Sequence, residues 1–149
     1  MIRAAALLLL AAACSEPVPR VLAEGEDTCA HCHMTLAEAR FGAELVTRTG
    51  RVYAFDDAGC LASFVAGGTV PADRIHSLWV SDFTRPDSLL AAERAVFVRH
   101  PGLRTPMNYG VVAVSSGAAA DSLLTALGDG GRRTDWDEIL AAARQQRAP

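Results

Sequence analysis

Cys29-Ala-His-Cys32-His33-Met34 places two thiols, two imidazoles and a thioether within six residues. A packed core does not need so many soft donors in one place. Soft thiolate and thioether ligands favour Cu(I) over hard cations. Four chemistries compete for the motif. In the first, Cys32 and Met34 hold Cu(I): two residues apart in an extended segment, they share one face, with Cys29 or a histidine adding donors and a distant Met closing the site. In the second, Cys29-x-x-Cys32-His33 attaches a c-type haem, with Met107 as the far axial ligand. The short, proline-containing stretch before Cys29 leaves no room for the helix that precedes such a motif, and the rest of the chain is strand-rich. In the third, the pair is a redox dithiol, which needs its first Cys at a helix N-terminus. Here Glu24, Glu26 and Asp27 precede it, and negative charge raises a thiol's pKa. In the fourth, Cys29, Cys32, Cys60 and a histidine bind structural zinc, which takes four ligands, often from two paired motifs; there is no second Cys pair.

Two further sulfurs have open readings. Cys60 follows Asp56-Asp57-Ala58-Gly59 in the first turn of an expected helix. It reads first as a small buried hydrophobe beside Phe64 and second as a thiol activated by the helix dipole. Met107 lies in Thr105-Pro-Met-Asn-Tyr-Gly110, a turn-like stretch, where it either caps the core or reaches a metal. His76 and His100 are isolated and read as surface or packing residues; Trp79 and Trp136 read as core.

Half of the 149 residues are hydrophobic and 21% are charged, enough for one domain with a core. Net charge is -3, every basic side chain is Arg, and no basic cluster stands out, which argues against a nucleic-acid partner. Residues 1–13 read as a signal peptide: Arg3, then a short apolar run. Ten apolar residues at 4–13 are too few to cross a bilayer, which takes about 20. Cys14 ends that run behind Ala11-Ala12-Ala13, as in a bacterial lipobox, although Ala11 stands where Leu is usual. Cleavage would leave Cys14 as a lipid-bearing first residue, with plain secretion as the alternative. Three thiols then remain, which cannot pair completely. Residues 14–27 read as a lipid-anchored tether and 28–149 as one domain.

Residues 43–47 and 51–55 are β-prone runs around Thr49-Gly50, a hairpin signal. Asp56-Asp57 offers an N-cap for a helix through Leu61, Phe64 and Val65, stopped at Gly67-Gly68. Residues 75–80, 95–99 and 109–115 read as strands. Ala120, Leu123, Leu124 and Leu127 form a helical face, and Thr134-Asp135-Trp136-Asp137 resembles a capping box opening a last helix. The order β-β-α-β, then β-β-α-α, predicts an α+β fold of small mixed or antiparallel sheets with packed helices.

Taken together, the lipobox-like Cys14, Cys29-x-x-Cys32-x-Met34, Tyr53-Ala-Phe-Asp-Asp-x-Gly-Cys60, Trp79-Val-Ser-Asp-Phe83 and Thr105-Pro-Met107-Asn-Tyr-Gly110 resemble the NosL family, accessory lipoproteins of nitrous oxide reductase. The resemblance spans about residues 28–115. It implies two ββαβ units, as in the domain of organomercurial lyases. It implies Cu(I) binding in the periplasm by a protein that is no enzyme, anchored by lipid, with the outer membrane expected. The implied partner is nitrous oxide reductase or its maturation complex. The family's Cys-x-Met element falls on Cys32 and Met34 and its distal Met on Met107, with Cys29 and His33 as further candidates. This chain departs at His33, where Gly is usual. An organomercurial-lyase-like activity of Asp56-Asp57 with Cys60 is a further alternative.

Overall fold

Gly50, in the left-handed region at φ 83, turns the chain between β1 (Ala43–Thr47) and β2 (Val52–Phe55), which pair antiparallel. The computed structural model describes residues 16–147; Cys14 and the expected signal segment lie outside the described residues. Asp57 caps α1 (Ala58–Gly67) by accepting the Cys60 N–H, and left-handed Gly68 ends it at φ 67. β3 (Ile75–Asp82) then lies antiparallel to β1 on its other side. This is one ββαβ unit with strand order β2-β1-β3. After β4 (Arg85–Ala91), which pairs with β3, the pattern recurs. β5 (Val96–Arg99), β6 (Val111–Val114), α2 (Gly117–Leu127) and β7 (Arg132–Thr134) give the order β6-β5-β7. A parallel seam at Asp82 and Ala113 joins β3 to β6 and makes one seven-stranded mixed sheet. The final helix, α3 (Trp136–Arg147), starts where the Asp135 carboxylate accepts the Glu138 N–H at 2.9 Å.

Side chains alternate across a strand, and the second unit is covered on both faces. Phe97, Val111 and Ala113 join one core with Phe55, Leu61, Trp136 and Ile139 of the α1 and α3 side. Val98, Val112 and Val114 face the other way and pack with Ala120, Leu123 and Leu127 of α2. This explains the unbroken apolar run of β6, since strands buried on both faces lose their polar alternation. Trp136 is buried as expected. Trp79 is only half-buried, its indole N–H on Ser77 Oγ at 2.9 Å.

Two expectations need correcting. Both ββαβ units exist, but in one continuous sheet, with β4 added to the two units. Moreover, part of the expected tether is packed. Leu22 is buried and lies where a Cβ on Gly42 would meet it at 2.4 Å. Arg20 donates its backbone N–H to Glu44 at 3.0 Å and its guanidinium to Asp27 at 2.7 Å. The Gly25 N–H donates to the Leu36 carbonyl at 3.0 Å. The folded body therefore begins near residue 20. Among the described residues no helix is long and apolar enough to cross a membrane.

Candidate metal centre

The Cys-rich motif folds into a tight turn. Thr28 and Thr35 form an antiparallel bridge; the Cys29 N–H donates to the Met34 carbonyl at 2.8 Å, and the His33 N–H to the Cys29 carbonyl at 3.0 Å. To close this loop His33 takes φ 64, the left-handed conformation that glycine adopts freely. The glycine that the resemblance leads one to expect at that position would take this conformation without strain. His33→Gly is expected to raise the unfolding free energy by about 1 kcal/mol in a urea titration, the order of the left-handed penalty of an L-residue. The turn also corrects an expectation: the segment is not extended, so the alternation that would put Cys32 and Met34 on one face does not apply.

The Ala30 N–H donates to the Ala54 carbonyl on β2 at 2.9 Å, pinning the turn against the sheet beside α1. The result is a convergence of three sulfurs. Cys29, Cys32 and Cys60 hold their Sγ atoms within 4.8 Å of one another, and all three are free thiols. A metal–thiolate bond of about 2.3 Å would set trigonal sulfurs about 4 Å apart, within the observed spread. Cys29 and Cys60 are fully buried and Cys32 is half-buried, so the cluster opens outward through Cys32. Cys60, read first as a packing residue, is buried and also completes the cluster.

Hydrogen bonding sets the protonation order. The Cys60 thiol, donating to the Cys29 sulfur, holds the Cys29 pKa far below the ordinary thiol value, helped by backbone N–H groups of Cys32, Asp56 and His31 against the cost of burial. The Cys32 N–H lies 3.5 Å from that sulfur. Cys60 is pushed up by the same bond and by burial, and Cys32 by burial first. The net direction at Cys29 is downward, against the rise expected from the acidic residues before the motif, because hydrogen bonds to its sulfur dominate. Asp56 and Asp57 are buried, and burial raises both. Among the described residues neither forms a salt bridge. Two buried carboxyls thus sit on the turn into α1 with no ion-pair partner among the described residues.

The other candidate ligands are exposed rather than buried with the three thiols. His33 and Met34 are exposed, Met34 by 54%. Met107 is 37% exposed, on the loop between β5 and β6. Its N–H donates to Asp57 Oδ2 at 3.2 Å, and Asp57 Oδ1 accepts the Cys60 N–H at 2.8 Å. His76 is exposed, and His100 is a buried packing residue accepting the Gly102 N–H at Nδ1.

Among known proteins, the family model described as NosL matches residues 20–143. The fold is similar to the crystal structure of the copper chaperone NosL from Shewanella denitrificans, with TM-score 0.65 and 21% identity, covering 83% of this chain and 99% of that one. No curated protein matches the chain. The family match runs from the packed N-terminal segment through the thiol cluster and both ββαβ units into α3. On that match, the chain belongs to the NosL family.

Proposed function

We propose that this protein is a Cu(I) metallochaperone. The observation that carries the reading is the convergence of three free thiols, one of them poised as a thiolate, within 4.8 Å. Thiolates suit a soft monovalent ion, and a cation would offset the acidic groups buried around it. Membership of the NosL family and the copper chaperone among its structural relatives support the same cargo. In this reading Cys29 and Cys32, with Cys60, receive the ion, and Met34 and Met107 are its exposed thioether donors, with His33 beside them. Such a graded site suits transfer. An acceptor's ligands enter at the exposed side while the buried thiolates let go one at a time. By its resemblance, the acceptor is nitrous oxide reductase or its maturation complex, and the protein works in the periplasm, anchored through lipid on Cys14.

Two other readings fare worse on geometry. A c-type haem needs both cysteines of the motif open to the porphyrin, and Cys29 is fully buried against Cys60. A lyase acting through Asp56-Asp57 with Cys60 gains little from Asp57, both of whose oxygens accept backbone N–H groups.

The test is a titration of the reduced protein with Cu(I) against a chromophoric chelator, followed by X-ray absorption at the copper edge. One Cu(I) per chain with an all-sulfur or sulfur-dominated shell is the expected result. Failure to take copper from the chelator, or a shell of nitrogen and oxygen alone, overturns it. A Soret band after expression with haem-maturation machinery would restore the haem reading.

A further inference from the structure

The two ββαβ units offer an internal comparison. In the first, Phe55-Asp56-Asp57 leads from β2 into α1; in the second, Val114-Ser115-Ser116 leads from β6 into α2. Asp57 and Ser116 occupy equivalent cap positions. Ser116 Oγ accepts one N–H, that of Ala119, at 3.2 Å. Asp57 Oδ1 makes the corresponding bond to the Cys60 N–H at 2.8 Å. Its other oxygen accepts the Met107 N–H at 3.2 Å from 50 residues away, and the Thr105 hydroxyl also bonds to this carboxylate. Serine is as good a cap as aspartate, so capping does not explain the carboxylate. The second oxygen does.

The same loop is clamped against α1 at one further place. Tyr109 lies on Gly59 so closely that a Cβ there would sit 2.1 Å from the ring, and its hydroxyl meets Ser63 Oγ at 3.1 Å. Asp57 is fully buried beneath these contacts.

We propose that Asp57 is a positioning residue: by bonding the backbone of Cys60 through one oxygen and that of Met107 through the other, it locks the distal thioether to the thiol-bearing helix turn as a single donor set for Cu(I). This rests on the reading of Met107 as a copper ligand. The two units have divided the labour, with the second unit's hairpin loop supplying a donor to the first unit's helix.

Asp57→Asn keeps a carbonyl oxygen for the Cys60 N–H but turns an amide NH2 toward the Met107 N–H, donor against donor. Asp57→Ser reproduces the cap of the second unit and cannot span both partners. Cu(I) affinity by chelator competition and the number of sulfur scatterers by X-ray absorption are measured for wild type, Met107→Leu, both Asp57 variants and the Asp57→Ser/Met107→Leu double variant, with thermal unfolding to establish folding. Met107→Leu is expected to lose one sulfur and about 10-fold in affinity, the lower end of what a lost metal-site partner costs. Each folded Asp57 variant is expected to lose the same sulfur and a similar factor, and the double variant to bind no more weakly than Met107→Leu alone, because coupled groups do not add. Folded Asp57 variants that keep the full sulfur shell, or a double variant whose losses multiply, overturn the inference while Met107 stays a ligand. If Met107→Leu leaves both measurements unchanged, Met107 leaves the copper site and the inference falls with that assignment.

Discussion

Serine in place of Cys29 is expected to weaken Cu(I) binding by more than about 100-fold, beyond the 10–100-fold typical of losing an outer-shell partner. Cys29 is the member of the trio held as a thiolate, by the Cys60 thiol and by surrounding backbone amides. A serine hydroxyl is a hard oxygen and stays protonated there, so the variant loses both the charge and the soft donor. Cys60→Ser is expected to cost less, because Cys60 must give up its proton beside the Cys29 charge before it can bind. Chelator-competition titrations of both variants, compared at matched folding by circular dichroism, decide the order. Equal affinity of Cys29→Ser and wild type would take Cys29 out of the centre.

The second large effect concerns stability rather than metal. Glu44 is fully buried on β1 and carries an oxygen, Oε1, with no hydrogen-bond partner among the described residues, while Oε2 accepts the Arg20 N–H. Burial pushes its pKa from the ordinary 4.5 up to about 7. The folded state therefore holds this proton more tightly than the unfolded state. Stability from this group is greatest below about 4.5, falls as pH rises toward 7, and stays low above it. The gap corresponds to about 3 kcal/mol. Glu44→Gln removes the ionisation and should raise Tm at pH 8 by roughly 10 °C for a domain of this size. At pH 4.5 the two proteins should melt nearly together. A Tm difference independent of pH would show that the carboxyl is not the cause.

Which parts of this architecture are readable from the chain follows from where each element gets its stability. β1 is legible residue for residue, as are the Asp57 cap and the Gly68 stop of α1, because hairpin and cap signals are local. β4 is not: Arg85-Pro86-Asp87-Ser88 carries no apolar alternation, and Pro is tolerated there because edge strands leave some N–H groups unpaired. β7 is three residues, Arg-Arg-Thr, whose strand character comes from β5 beside it. At the site, Cys29 and Cys32 announce themselves by spacing. Cys60 does not, because a lone cysteine near an aromatic looks like packing, and its role emerges only when α1 is laid beside the Ala30–Ala54 contact. Residues 20–27 escape for a related reason, since Leu22 is the one apolar side chain that docks among charged neighbours.

The thiol trio draws its members from a turn at the chain's start and a helix that follows a complete hairpin. A ribosome-fresh or threaded polypeptide offers the Cys29–Cys32 pair by itself, without the neighbour that keeps Cys29 deprotonated. The three sulfurs therefore converge only once the turn has docked against β2 and α1 has formed, so the three-thiol cluster belongs to the folded molecule and to no shorter piece of it.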